Sequence, residues 1–350
     1  MTGLAPWLDA ALGRALALPA HAVLIHGPGA LGQFELALDL ASAWLCESPL
    51  ASGRACGRCT SCHLMAAHSH PDFRCLVPEA LAPALGWADP AAEDDDKEAK
   101  KKPSREIKVE AVRAAIDWGQ RTSARAKAKA ILIHPAEAMN LVTANALLKT
   151  LEEPPGTLRL VLNAHDPEAL LPTVRSRCQR LPIAPPARAD ALAWLAGQGV
   201  AAPDVLLGAA DGLPPAALAL VADGIDAALW QRVPGLVRQG LAGPLAGLPV
   251  PRVVEMLGKL CHDLMAVAAD APPRYFDATA LAPALKPAAP PMARLADWSR
   301  ALLQAARHDD HPWNAPLRIE ALLAQAAALW QTAREQASGP GKPLATLPAR

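Results

Sequence analysis

Apolar positions in the first half of the chain switch between two spacings. Ala22 to Phe34, AVLIHGPGALGQF, begins as an unbroken apolar run and passes through a glycine-rich turn into a helix-length segment. Short runs of that kind bounded by glycine predict buried strands. Phe73 to Val77, the start of Ala130 to Asn140 (AILIHPAEAMN) and Leu158 to Leu162 have the same character. Between them the spacing widens. Ala144, Leu147, Leu148 and Leu151 recur at three- and four-residue steps, and a further helix is expected over 107–120 with Ile107, Val109, Val112 and Ile116 as its packing residues. Such steps place apolar side chains on one helical face. Pro154-Pro155 end the first of these helices, because proline lacks the amide and clashes with the preceding turn. A short helix is expected from Pro167 to Leu171, and an amphipathic one within the first twenty residues. These strands and helices make the first half an α/β region.

After Leu181 the pattern changes. Pro182, Pro185 and Pro186 predict a linker, and short helices follow over 189–220. From Gly224 the chain is helical and apolar, with proline-rich joints near 272–291. Val253, Leu257, Leu260, Leu264 and Val267 form one packing stripe; Leu295, Trp298, Leu302 and Ala305 form a second, and Ile319, Leu322, Ala326 and Trp330 a third. Stripes of this kind predict a helix-bundle core. The expected organisation is an α/β domain over 1–183, a small helical domain over 184–223, a second helical domain over 224–335 and a disordered tail over 336–350.

Composition narrows the function classes. The chain has 350 residues, 52% hydrophobic but only 4% aromatic, and a formal net charge of +0. Its length allows two or three domains, and its neutrality excludes a global basic field for nucleic acid. Arg14 is the single base of the first twenty residues and Asp9 interrupts their apolar run, so no secretory signal is expected. No uninterrupted apolar stretch reaches membrane-spanning length, and a cytoplasmic location is the expectation. Seven cysteines in that setting point to thiols or metal ligands rather than disulfides. Residues 88–105, an acidic run followed by Lys100, Lys101 and Lys102, predict a mobile surface loop. DNA contact through those lysines is open, although the adjacent acids offset their field.

Candidate chemistry lies at three places. Cys46, Cys56, Cys59 and Cys62 are spaced so that four thiolates can converge on one tetrahedral ion, a closed structural zinc arrangement. Free thiols remain an alternative, as does a buried Cys46 with His63 or Cys75 as the fourth ligand. A catalytic zinc is not expected, since no general base is evident nearby. His68-Ser69-His70-Pro71-Asp72 offers a possible metal or acid–base pair, but reads better as a turn leading into the strand at Phe73. Gly27, Gly29 and Gly32 stand in a strand–loop–helix context, with Gly27 and Gly32 at the spacing of a phosphate-binding loop. The pattern then requires lysine and a hydroxyl, whereas this chain has Gln33 and Phe34. The third place is Arg175-Ser176-Arg177-Cys178, two cations between apolar segments.

NALLKTLEEPP followed by LLPTVRSRC resembles the clamp-loader branch of the AAA+ ATPases. The resemblance extends over roughly residues 1 to 335. It implies a RecA-like parallel-sheet domain carrying a zinc module at about 46–62, a helical lid and a helical collar that joins subunits. It also implies that Arg177, with Ser176 and Cys178 as its motif, projects into a neighbouring subunit's ATP site; Arg175 could share that task. A guanidinium suits it, being permanently charged and forked to grip phosphate oxygens. The family pattern expects an acid at the end of the strand that begins at Ala130, where this chain has His134 and Pro135, with Glu137 further along. It expects a lid arginine where Pro215 and Ala216 stand. These absences argue against ATP hydrolysis by the chain itself, and the resemblance implies that it acts with tau- or gamma-type ATPase and delta-type subunits, a sliding clamp and primed DNA. Two alternatives stay open: the active ATPase subunit of the same assembly, and a zinc-dependent DNA-binding module using Arg54, Arg58 and the Lys100 run.

Overall fold

Five apolar segments of the first half pair into one parallel sheet: β1 (Ala22–His26), β2 (Phe73–Leu76), β3 (Lys129–Ile133), β4 (Leu158–Ala164) and β5 (Gln179–Pro182), in the order β2-β3-β4-β1-β5. The structure is a computed structural model and describes residues 5–29, 31–87, 103–286, 288–307 and 314–335. The central strands are buried along nearly their whole length, which is why they read as continuous rather than alternating apolar runs. Helices α1 (Pro6–Leu16), α2 (Gln33–Leu45), α3 (Thr60–Ala66), α4 (Val109–Gly119), α5 (Leu141–Glu152) and α6 (Pro172–Arg175) complete this unit. In α5 the Asn140 side chain accepts from the Thr143 amide and caps the start. Its apolar stripe, Ala144, Leu147 and Leu151, packs in the core with Ile131, Leu160 and Val112.

Two local expectations change. The short helix expected from Pro167 to Leu171 is instead a 3₁₀ turn, Pro167–Ala169, followed by α6, because Pro172 fits the first position of a new helix. Pro182 is no linker residue but the last residue of β5, an edge strand where the missing amide costs nothing. The chain divides into two units after Pro186.

The second unit is all-helical: α7 (Arg188–Gly197), α8 (Pro203–Ala209), α9 (Pro214–Ala222), α10 (Ala227–Gln239), α11 (Val250–Ala268), α12 (Ala278–Leu285), α13 (Met292–Arg307) and α14 (Ala315–Glu335). One core gathers Leu195, Leu207, Leu220, Trp230, Leu257, Leu264, Leu295, Trp298 and Ile319. The three stripes lie where the spacing put them. Helix α12 was hidden within the proline-rich joint; Asp277 caps it through the Ala280 amide. Fully buried Asp263 accepts the amides of Arg274, Tyr275 and Phe276 at 2.9, 2.8 and 2.8 Å, fixing the turn before α12. The charged stretch at 88–105, apart from its last three residues, and the tail over 336–350 lie outside the described residues. Among the described residues no single helix is long and apolar enough to cross a membrane.

Candidate functional site

The glycine-rich loop leaves β1 at its C-terminal end and feeds α2, the geometry in which loop amides can cradle phosphate. Two of its glycines have packing reasons of their own. A Cβ at Gly27 would collide with the carbonyl oxygen of Ile183, and Gly32 has φ +90°, a left-handed conformation that other residues avoid. Gln33 decides what the loop can do. It is 3% exposed, and its carboxamide turns back into the loop. Nε2 donates to the carbonyls of Gly27 at 3.1 Å and Pro28 at 2.5 Å, while Oε1 accepts the Leu31 amide at 3.1 Å. The Trp7 indole donates to the Leu31 carbonyl at 3.1 Å from above. The Leu31 amide, which could otherwise face a ligand, is thus taken from within.

The other positions agree with Gln33. Phe34 is buried, its ring 4.8 Å from His134, which is 5.9 Å from His165. Burial lowers the His134 pKa to about 4, with the charge of His165 acting in the same direction, so a neutral imidazole stands where the strand would carry an acid. Glu137, the nearest carboxylate in sequence, instead accepts the backbone amides of His165 and Asp166, the latter at 2.8 Å. It organises the turn after β4.

Arg177 lies at the opposite end of the strands. It precedes Gln179 by two residues, and Gln179 is registered with Val23. The loop begins at Gly27, four residues beyond Val23, so about 13 Å of strand rise separates the loop from the start of β5. Arg177 therefore does not serve its own loop. Its Nε donates to Glu152 Oε1 at 2.6 Å, a second nitrogen pairs with the same carboxylate, and NH1 donates to the Thr173 carbonyl at 2.8 Å. The side chain is 30% exposed at the surface. Ser176 is exposed and donates to the Thr173 carbonyl at 3.2 Å, whereas Cys178 is buried and burial pushes its thiol up to about 12. Arg175 pairs with Glu168 and is 20% exposed. The two arginines thus have separate carboxylate partners.

The four cysteines converge. The Sγ atoms of Cys46, Cys56, Cys59 and Cys62 all lie within 4.8 Å of one another. Individual separations are 3.8 Å for Cys46–Cys59, 3.8 Å for Cys46–Cys62, 3.5 Å for Cys59–Cys62 and 4.0 Å for Cys56–Cys62. A metal bonded to four sulfurs at about 2.3 Å has tetrahedral edges of about 3.8 Å, so the donor set fits such an ion. Amides of Cys56, Cys59 and Cys62 donate to Sγ atoms of Cys46, Cys56 and Cys59 at 3.3, 3.3 and 3.5 Å. Such bonds support thiolate character. Neither His63 nor Cys75 belongs to the cluster, which leaves Cys46 as its fourth member.

A network that sequence reasoning missed ties this knuckle to the sheet. The turn at His70-Pro71-Asp72 forms, but its polar side chains are buried. His70 Nε2 meets Ser61 Oγ at 3.1 Å, and Ser61 donates to Glu47 at 3.2 Å. Glu47 also takes the Arg125 guanidinium, Nε at 2.7 Å, which holds its carboxyl below the usual range. Asp72 accepts the amides of Ala124 and Arg125 at 2.8 and 2.9 Å. The only hint in the sequence is that Glu47 and Ser61 directly flank cluster cysteines.

Comparison with known proteins agrees with the arrangement. The family model described as DNA polymerase III, delta subunit, matches residues 16–187. The delta-prime subunit of DNA polymerase III from Pseudomonas aeruginosa is 37% identical over 269 residues, 73% of this chain and 75% of that protein. The Escherichia coli delta-prime subunit is 35% identical over 203 residues, 57% of this chain and about half of that protein, 54%. The tau subunit of Escherichia coli DNA polymerase III is 30% identical over 158 residues, 45% of this chain and 20% of that protein. With the glycine loop, the arginine motif and the cysteine knuckle inside the matched region, the chain belongs to the delta-prime subunit family of the DNA polymerase III clamp loader.

Proposed function

We propose that this chain is a non-hydrolysing subunit of the replicative clamp loader that presents Arg177 in trans to ATP held by a neighbouring tau- or gamma-type ATPase subunit. In that role it works in the cytoplasm with delta-type subunits to load the sliding clamp onto primed DNA. The observation that carries the reading is the inward carboxamide of Gln33, which takes the Leu31 amide a phosphate could use and stands, uncharged, where the cation for the phosphates would be. Phe34 and neutral His134 remove the metal ligand and the acid from the same pocket. The long separation of Arg177 from that loop supports action on another subunit's nucleotide. The cysteine cluster holds a structural zinc ion that fixes the 46–62 excursion, a segment with little apolar core of its own. Residues 184–223 and 224–335 act as lid and collar.

Chemically, Arg177 needs only to place its charge where negative charge develops on the γ-phosphate. Arginines supplied in trans contribute about 10³–10⁵ in rate in other phosphoryl-transfer systems. In the reconstituted loader, Arg177→Ala should leave assembly intact and slow ATP turnover steeply, whereas Arg175→Ala should leave turnover near normal. Normal turnover with Arg177→Ala would refute the assignment.

A further inference from the structure

The edge of the sheet at which the strands begin carries charge that nothing above uses. Two adjoining clefts of about 720 and 390 Å³ open there and share Ala126, Lys127, Gly156, Thr157 and Leu158. Arg159 lines the first, Arg121 and Lys129 the second, and Lys127 both. Among the described residues, neither lining contains a carboxylate. Asp72 accepts the amides of Ala124 and Arg125, Glu47 pairs with the Arg125 side chain and Glu152 with Arg177, while exposed Glu153 precedes Pro154 at the rim.

The cations are also set in place. The Arg159 guanidinium lies 5.1 Å over the half-buried Trp44 ring. Lys129 donates to the Trp118 carbonyl at 2.6 Å and sits 4.2 Å over its ring. Burial holds the Lys129 pKa below its ordinary value, and the charges of Arg121 and Arg74 add to that. Lys127 and Arg121 stand exposed on the 121–128 loop, which Asp72 and the cysteine knuckle hold from behind. A partner's acids would therefore meet one guanidinium already oriented on Trp44, while the exposed Lys127 and Arg121 side chains would order on association. Arginine and tryptophan together are the residue types that most often anchor protein interfaces.

Strand register joins this surface to Arg177. Val23 is registered with both Gln179 and Val161, so Arg177 and Arg159 each lie two residues before a registered position. Arg159 lies in β4 and Arg177 in the turn that leads into β5, so both stand towards the edge at which the strands begin. A neighbour that receives Arg177 approaches the same edge as Arg159.

We propose that the Arg121, Lys127 and Arg159 edge docks a carboxylate-rich segment of the neighbouring ATPase subunit, beside the point where Arg177 crosses. This rests on the reading that Arg177 acts in trans. That reading requires a protein on this edge, which is why an acidic protein segment is favoured over a nucleic-acid backbone.

The test uses the full chain and the purified ATPase subunit, with association measured at low and high salt. Lys127→Glu/Arg159→Glu should weaken association by about 10- to 100-fold at low salt and flatten its salt dependence. Lys127→Glu alone, at an exposed side chain that packs nothing, should give a smaller loss with an unchanged melting temperature, so misfolding does not explain the result. Lys127→Arg/Arg159→Lys should keep most of the affinity. Unchanged association of the folded Lys127→Glu and double variants would overturn the proposal. So would binding of primed DNA by the chain alone that the double variant abolishes while subunit association stays intact. Arg177→Ala separates the two ideas. If it leaves turnover normal while the edge variants still weaken association, the trans arginine fails and the docking surface stands.

Discussion

Replacing Asp72 by alanine tests how firmly the knuckle side of the sheet holds the 121–128 loop. Asp72 is 1% exposed, and its two oxygens accept the Ala124 and Arg125 amides at 2.8 and 2.9 Å. The His70 ring accepts the Asp72 amide at 3.0 Å, so the aspartate is oriented before it binds the loop. Hydrogen bonds to a charged group are each worth about 1.5–3 kcal/mol net. Two of them give about 3–6 kcal/mol, and the lower end applies because the freed amides lie in a loop that water can reach. At 2–4 °C per kcal/mol for a unit of this size, Asp72→Ala should lower the melting temperature of the first unit by about 6–12 °C. Hydrogen exchange at Ala124 and Arg125 should accelerate most, since those amides lose their acceptor directly. Asp72→Asn, which keeps one carbonyl oxygen, should fall between the two. A loss below about 1 kcal/mol with unchanged protection at both amides would refute the network as a support.

The remaining expectations concern metal, pH and the second unit. Purified protein should contain one zinc per chain, and strong chelation should open Cys46, Cys56, Cys59 and Cys62 to alkylation together; four thiols already reactive in metal-replete protein would contradict this. His134, lowered to about 4 from 6.5, binds its proton more readily in the unfolded chain. Its contribution is therefore present above pH 6.5 and lost as pH falls towards 4, to at most about 3 kcal/mol. A His134→Leu variant should lose less stability than the parent across that range in urea titrations, and identical profiles would exclude His134 as the cause. Asp263→Ala strips the acceptor from three amides at a fully buried position and should cost about 4 kcal/mol in urea unfolding; a change under about 1 kcal/mol would show the turn before α12 to be self-supporting.

Much of the architecture was legible because it is written in local period. Apolar runs such as Leu158 to Leu162 and stripes such as Val253-Leu257-Leu260-Leu264 state their structure within a dozen residues. The losses at Gln33, Phe34 and His134 were also legible, as residue identities at required positions. Their directions were not. That Gln33 folds inward rather than reaching out depends on carbonyls presented by the folded loop. Glu137 serves amides 28 and 29 residues away, and Asp72 serves Ala124 across 52. Contacts at such separations leave no periodic trace. Helix α12 escaped for the opposite reason: its own Pro283 and the prolines around it imitate a loop, while Leu281 buried in the core keeps it helical.

The inward glutamine has a thermodynamic corollary. A loop completed by a ligand gains stability in proportion to the logarithm of that ligand's concentration. Here the completing group is covalently part of the polypeptide, present at full occupancy whatever the supply of nucleotide. The bonds that Gln33 makes to Gly27, Pro28 and Leu31 therefore need no ligand to form. In the role proposed above, a loop that holds its own shape makes the subunit a fixed reference, against which moving parts can be displaced and returned.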